Sequence, residues 1–280
     1  MSTKRTFTSL DPQAKLFKEL KKQQPNWWTL FCEDKELYID VRKDNYINVY
    51  YFGGSVVKIY YKNGFVTETH QKYLGDDKPR GNTKNGTDKF EYDSIDLTQL
   101  TKTKISNIKD RIWHDYLRHG NSEYPAEKWI QGKIIKESPT YIDSEFQFNK
   151  DDEIDNLRID LIELSEGVLS FVELKGISDS RLRIDENRNT RTPEIIEQMG
   201  KYQLFINKYE FEIKDYYKKL LKIKQSLGLI ASYKGSFVLN KTPKLLIVNT
   251  YSKMTKKRAE RIHDINKLLV INNIDYKITI

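Results

Sequence analysis

The chain has 280 residues, 38% hydrophobic and 31% charged, with a formal net charge of +8. Its wealth of Tyr, Phe and Ile excludes a disordered chain, and no apolar run approaches the roughly 20 residues that span a bilayer. The excess of Lys and Arg favours polyanionic partners, while the single cysteine, Cys32, excludes an internal disulfide and fits a reducing cytosol.

Taken in chain order, the first signal is a helix from Pro12 to Gln23 with Leu16, Phe17 and Leu20 on one face. Cys32 reads as a small buried hydrophobe beside Leu30 and Phe31. Short strands are then expected at Leu37 to Val41, Tyr46 to Phe52, Val56 to Tyr61 and Phe65 to Thr69. Turn signals at Lys43-Asp44-Asn45, Gly53-Gly54 and Asn63-Gly64 separate them, so they form an antiparallel meander. Its aromatics, among them Trp27, Trp28, Tyr46 and Tyr50, either fill a small core or stack bases among the lysines. From about Gly75 to Thr103 the chain is rich in glycine and charge, which marks a linker or long surface loop. A recognition domain over residues 1–100 and a second domain over 101–280 are therefore expected.

The second part opens with a helix from Ile105 to Arg118 and another from near Pro125 through Ile135, with Glu127 in its first turn. Strands follow at Glu145 to Phe148, Leu157 to Leu164 and Val168 to Leu174. A helical segment runs from Thr192-Pro193 to Leu227, then a strand from Leu245 to Asn249, a helix from Lys256 to Asn272 and a last strand from Tyr276. This order specifies an α/β fold, a mixed sheet between layers of helices.

The chemistry concentrates on one hairpin. With its turn at Glu166-Gly167, Leu164 faces Leu169, Ile162 faces Phe171, Leu161 pairs with Val172, and Asp160 meets Glu173. By strand alternation Asp160, Ile162, Glu173 and Lys175 share one side, with Ile159 and Leu161 on the other. Both faces are apolar, so the hairpin is internal. Two facing carboxylates in such a place repel unless a cation or a shared proton stabilises them. Hard oxygen donors suit Mg²⁺, with Mn²⁺ as a substitute, and Lys175 is placed to hold water or phosphate beside the ion. That set of groups is suited to hydrolysing a phosphodiester. The alternative is a solvated sheet edge on which Arg158 and Lys175 merely pair with the acids.

At these residues the chain resembles the PD-(D/E)XK nuclease superfamily. The resemblance rests on Ile159-Asp160, Glu173-Leu174-Lys175 and Gln198-Met199-Gly200-Lys201-Tyr202, the last similar to the Q-x-x-x-Y motif of the RecB-like branch. Ile159 stands where many members have proline. The resemblance implies a restriction-endonuclease-like α-β-β-β-α-β core and a metal-dependent nuclease, acting on DNA rather than RNA. It implies that Asp160, Glu173 and the Leu174 carbonyl bind metal, that Lys175 orients the attacking water, and that Gln198 and Tyr202 line the site. Glu127 is implied as an additional acid, although a helix start also favours it. A Glu-x-Lys triplet alone is uninformative, since Glu33-Asp34-Lys35 and Glu212-Ile213-Lys214 also have it. The loop after the site carries Arg181, Arg183, Arg188 and Arg191, either a phosphate clamp or a solvated segment. Asp151-Asp152-Glu153 reads as a solvated loop. The four histidines do not form a metal set, and Gly53-Gly54 lacks the residues of a P-loop. A cytoplasmic location, no membrane partner and a possible homo-oligomer complete the expectations.

Overall fold

A computed structural model describes residues 10–75, 92–117, 127–184, 192–231, 233 and 235–279. Helix α1 (Lys15–Gln23) buries Leu16, Phe17 and Leu20, the apolar face anticipated from their spacing. A second helix that the sequence reading missed, α2 (Asn26–Glu33), turns Trp27, Trp28 and Phe31 inward. Cys32 is exposed, not buried as expected. On so short a helix the bulky aromatics take the inward positions, and the residue after Phe31 faces outward.

Five strands form an antiparallel meander in sequential order: β1 (Leu37–Arg42), β2 (Tyr46–Tyr51), β3 (Gly54–Tyr61), β4 (Phe65–His70) and β5 (Tyr92–Asp93). The β2–β3 turn sits one residue earlier than expected. Phe52 and Gly53 carry positive φ (44° and 86°), while Gly54 opens β3 opposite Tyr51. Asn63 has φ 58°, as its turn requires.

Helix α3 (Lys102–Ile112) is capped by Thr101, whose hydroxyl accepts the Lys104 amide. Helix α4 (Glu127–Glu137) leads into the second sheet; Pro125 lies outside the described residues. That sheet comprises β6 (Tyr141–Phe148), β7 (Leu157–Ser165), β8 (Val168–Gly176), β9 (Val238–Leu239), β10 (Lys244–Val248) and β11 (Asp275–Thr279). Its order is β11-β10-β8-β7-β6, with β9 beside the start of β8. Strands β6, β7 and β8 are antiparallel, whereas β10 and β11 run parallel to β8, so the sheet is mixed. The expected helical segment divides at Tyr209 into α5 (Glu194–Lys208) and α6 (Glu210–Ser226), and α7 (Lys256–Ile271) links β10 to β11. The α/β class and the mixed sheet thus follow the sequence reading.

Apolar side chains from α1 through α7 form one large cluster in which Phe17, Ile59, Ile112, Phe171, Phe205 and Leu269 all take part. A smaller cluster of Ile130, Leu161, Val172, Leu174 and Leu246 lies under α4. Between the sheets lies a buried ionic group. Arg42 reaches Asp40 (3.1 Å), Asp143 (3.3 Å) and the Ser144 carbonyl, while Lys224 reaches Asp40 (2.8 Å). Charges so deeply buried persist only when paired and hydrogen-bonded. Among the described residues no helix is long and apolar enough to cross a membrane.

Candidate active site

The β7–β8 hairpin turns at Glu166 and Gly167, whose positive φ values (51° and 77°) match the turn that right-twisted strands favour. Pairing then runs from Ser165 opposite Val168 to Leu161 opposite Val172, the register expected from the sequence. Beyond that point the side chains take over. Asp160 Oδ2 accepts the Leu174 amide at 3.0 Å, Gln131 Nε2 donates to the Asp160 carbonyl at 2.7 Å, and the Tyr202 hydroxyl lies 2.7 Å from the Arg158 carbonyl.

Strict alternation also fails here. Ile159 joins the large cluster with Ile162 and Phe171, whereas Leu161 packs with Val172 and Leu174 in the smaller one. The expected common face of Ile159 and Leu161 is therefore wrong. On the neighbouring β6, Ser144 pairs with Leu161 and Phe146 with Ile159, and Glu145 between them has φ 55°. A residue in that conformation kinks its strand and locally interrupts the pleat.

The acids and the lysine are brought together. Asp160 (8% exposed), Glu173 (2%) and Lys175 (1%) are all buried. The Lys175 ammonium contacts Glu173 Oε1, donates to the Leu174 carbonyl at 2.8 Å and lies 3.8 Å from Asp160 Oδ2. Three oxygens thus converge on one positive charge. From α5, Gln198 Nε2 donates to Glu173 Oε1 at 2.7 Å and to the Tyr202 hydroxyl at 2.7 Å. That hydroxyl is also 2.9 Å from Glu173 Oε2. Residues 198 and 202 are one helical turn apart, so α5 presents both to the same carboxylate.

Burial, and then the neighbouring Asp160 charge, push the Glu173 carboxyl up to about 7, against the pull of Lys175. Burial likewise raises Glu127, the first residue of α4, which lines the same cleft. Tyr202 is raised by burial and by Glu173. The cleft encloses about 520 Å³ and is also lined by Lys128, Arg158, Arg181 and Lys201.

Only part of the arginine loop lies among the described residues. Arg181 lines the cleft, and its guanidinium donates to Asp179 (3.1 and 2.7 Å), which fixes it in place. Arg183 is exposed, while Arg188 and Arg191 lie outside the described residues. The acidic run stands apart: Asp151 accepts from Lys208 at 2.8 Å and from Tyr209, tying that loop to α5.

The sequence reading passed over Gln131, Lys128 and Glu145. Gln131 follows Glu127 by four residues, so a polar side chain on that helical face was a usable signal. Glu145 offered none, because its partners Lys128 and Arg158 are joined to it only by the tertiary fold.

Among the described residues, no three His, Cys, Asp or Glu side chains are gathered as a metal-binding group. The oxygens around the Lys175 ammonium are two carboxylates and a backbone carbonyl, which is the donor chemistry of a hard divalent cation completed by water or phosphate. The ammonium marks the point where a cation is held, and the residues present fit such an ion. Comparison of the chain with family models, curated proteins and solved structures returned no match.

Proposed function

We propose that the chain is a Mg²⁺-dependent nuclease of the PD-(D/E)XK kind, RecB-like in its helix motif, that hydrolyses phosphodiester bonds of DNA. The observation that carries this reading is the convergence of Asp160, Glu173 and the Leu174 carbonyl on one cationic point, backed by Gln198 and Tyr202. Asp160, Glu173 and the Leu174 carbonyl would hold the ion. When bound, Mg²⁺ lowers the pKa of a coordinated water and offsets phosphate charge.

The chain's own groups have separable tasks. Gln198 and Tyr202 fix both oxygens of Glu173, so the carboxylate keeps one orientation. With the ion bound, Lys175, a point charge on a flexible stem, would hold the attacking water or the scissile phosphate beside it. Arg181, held by Asp179, and Lys201 face the phosphates from the rim. Glu127 adds a third carboxyl whose raised pKa suits it to receive or return a proton. A low-dielectric cleft strengthens each of these interactions.

The test is direct: linear, circular and single-stranded DNA, and RNA, each incubated with the full chain and Mg²⁺, Mn²⁺ or EDTA. Metal-dependent cleavage of DNA that is lost in Asp160→Ala and Glu173→Ala is expected. Cleavage that survives in both variants overturns the assignment. A second reading, a nucleic-acid-binding module that does not cut, is favoured by one observation: Lys175 already occupies the point between the two acids. It predicts tight DNA binding with neither cleavage nor stabilisation by metal.

A further inference from the structure

A second cleft, about 170 Å³, opens between the two sheets beside the catalytic one. The two share a wall. Lys128 and Arg158 line both clefts, and both side chains grip Glu145. Two cations against one carboxylate leave that wall net positive and hold its charged heads in place, which preorganises it for an anion lying between the clefts.

Arg42 and Asp143 of the buried ionic group also line this cleft, together with groups of another kind. Tyr46, stacked on Tyr60 at 4.9 Å, presents an aromatic ring, and exposed Gln147 offers an amide that both donates and accepts. Lys43 adds a further cation. Amide, aromatic face and cation together are the groups by which proteins read an unstacked base and its phosphate. Size narrows the choice. A cavity of about 150 Å³ takes one benzene-sized ring, whereas drug-sized ligands need roughly 300 Å³ or more. The cleft is a single-ring to single-base compartment.

We propose that this cleft receives one unstacked nucleobase of the strand being cut, with the adjoining phosphate held between Lys128 and Arg158. The proposal rests on the nuclease reading for the identity of that strand. Extruding a base costs least where it is unpaired. The cleft therefore selects single-stranded segments, ends or distorted duplex over regular duplex.

The experiment uses the full chain and calorimetric titration with nucleoside 5′-monophosphates, the free nucleosides and inorganic phosphate. Nucleotides are expected to bind at least about tenfold more tightly than inorganic phosphate. Gln147→Trp, which fills the mouth from an exposed position, should reduce nucleotides to the level of inorganic phosphate. Tyr46→Ala should act in the same direction, and the Mg²⁺-induced rise in Tm should persist in both variants. Nucleotides that bind no better than inorganic phosphate, or that bind unchanged to Gln147→Trp, overturn the proposal. Cleavage without nucleotide capture overturns the base cleft alone. Capture without cleavage of any nucleic acid overturns the nuclease reading alone.

Discussion

At the scale of single residues the site turns on Lys175. Its ammonium satisfies Glu173, the Leu174 carbonyl and, at longer range, Asp160. Lys175→Ala removes that charge and leaves two buried carboxylates facing each other, a loss of about 3–5 kcal/mol for a broken buried pair. The same change frees the oxygens for a divalent ion. Without metal, Lys175→Ala should melt below the wild type, and its Tm should rise more than the wild type's on adding Mg²⁺. Cleavage should be abolished, since no other ammonium touches Glu173 among the described residues. Equal metal shifts in the two proteins, measured by thermal unfolding, would show that the ion binds elsewhere. Tyr202→Phe is a milder probe. It deletes a hydroxyl shared by Glu173 and the Arg158 carbonyl, and should cost about 1–3 kcal/mol in chemical unfolding while retaining the helix.

At the scale of elements, α4 positions the site from the side opposite α5. It carries Glu127, Lys128 and Gln131, and Gln131 holds the Asp160 carbonyl. The helix can lie this close to the β2–β3 turn only because residue 132 is glycine. A Cβ there would stand 2.4 Å from Phe52 Cα and 2.7 Å from its carbonyl carbon. Helix propensity alone would favour alanine by up to about 1 kcal/mol. Backbone in the way reverses that preference, so Gly132→Ala should destabilise by about 1–3 kcal/mol and lower kcat as Glu127 and Gln131 shift with the helix. A stabilised variant in denaturant titration would refute the contact. The hairpin was legible because alternation and the turn pair Glu166-Gly167 define its register. The break in alternation at Asp160 was not, and neither was the positive φ of Glu145 on the neighbouring strand.

At the scale of the whole molecule, the first sheet is joined to the second by apolar packing and by the Asp40, Arg42, Asp143 and Lys224 group. Burial, reinforced by Asp40, pushes the Asp143 carboxyl up to about 6. Burial also works against Asp40, but Lys224 and Arg42 outweigh it and hold that carboxyl low. The two acids therefore act in opposite senses. For Asp143, the native state binds more protons than the unfolded chain between its usual carboxylate pKa and about 6, so its contribution to stability falls as pH rises through that window. Asp143→Asn lacks this loss. Its unfolding free energy relative to the wild type should shift in its favour from pH 4 to pH 6.5, as read from denaturant unfolding at each pH. A relative stability that stays flat or moves the other way would remove Asp143 as the titrating group. The continuous apolar cluster further predicts one unfolding transition, with coincident far-ultraviolet dichroism and tryptophan fluorescence. Trp27 and Trp28 report on the first part of the chain, and Trp129 on the second.

From the sequence alone came the order of elements apart from α2, β5 and β9, the two-faced burial of the hairpin, and its register as far as Leu161 and Val172, because each depends on local periodicity and turn chemistry. The grouping of Asp160, Glu173 and Lys175 was legible for the same reason, all three lying on one short hairpin. What Lys175 does there was not: that its ammonium fills the cationic point depends on how the cleft closes around it. The same holds for Gln131 on Asp160, for the Lys128–Glu145–Arg158 wall and for the ionic group between the sheets. Gln131 and Asp160, Lys128 and Glu145, Arg42 and Asp143, and Asp40 and Lys224 are each 17 or more residues apart, and attraction between distant charges leaves no periodic trace in a chain. Only packing, which decides where each backbone comes to rest, brings such groups within bonding distance.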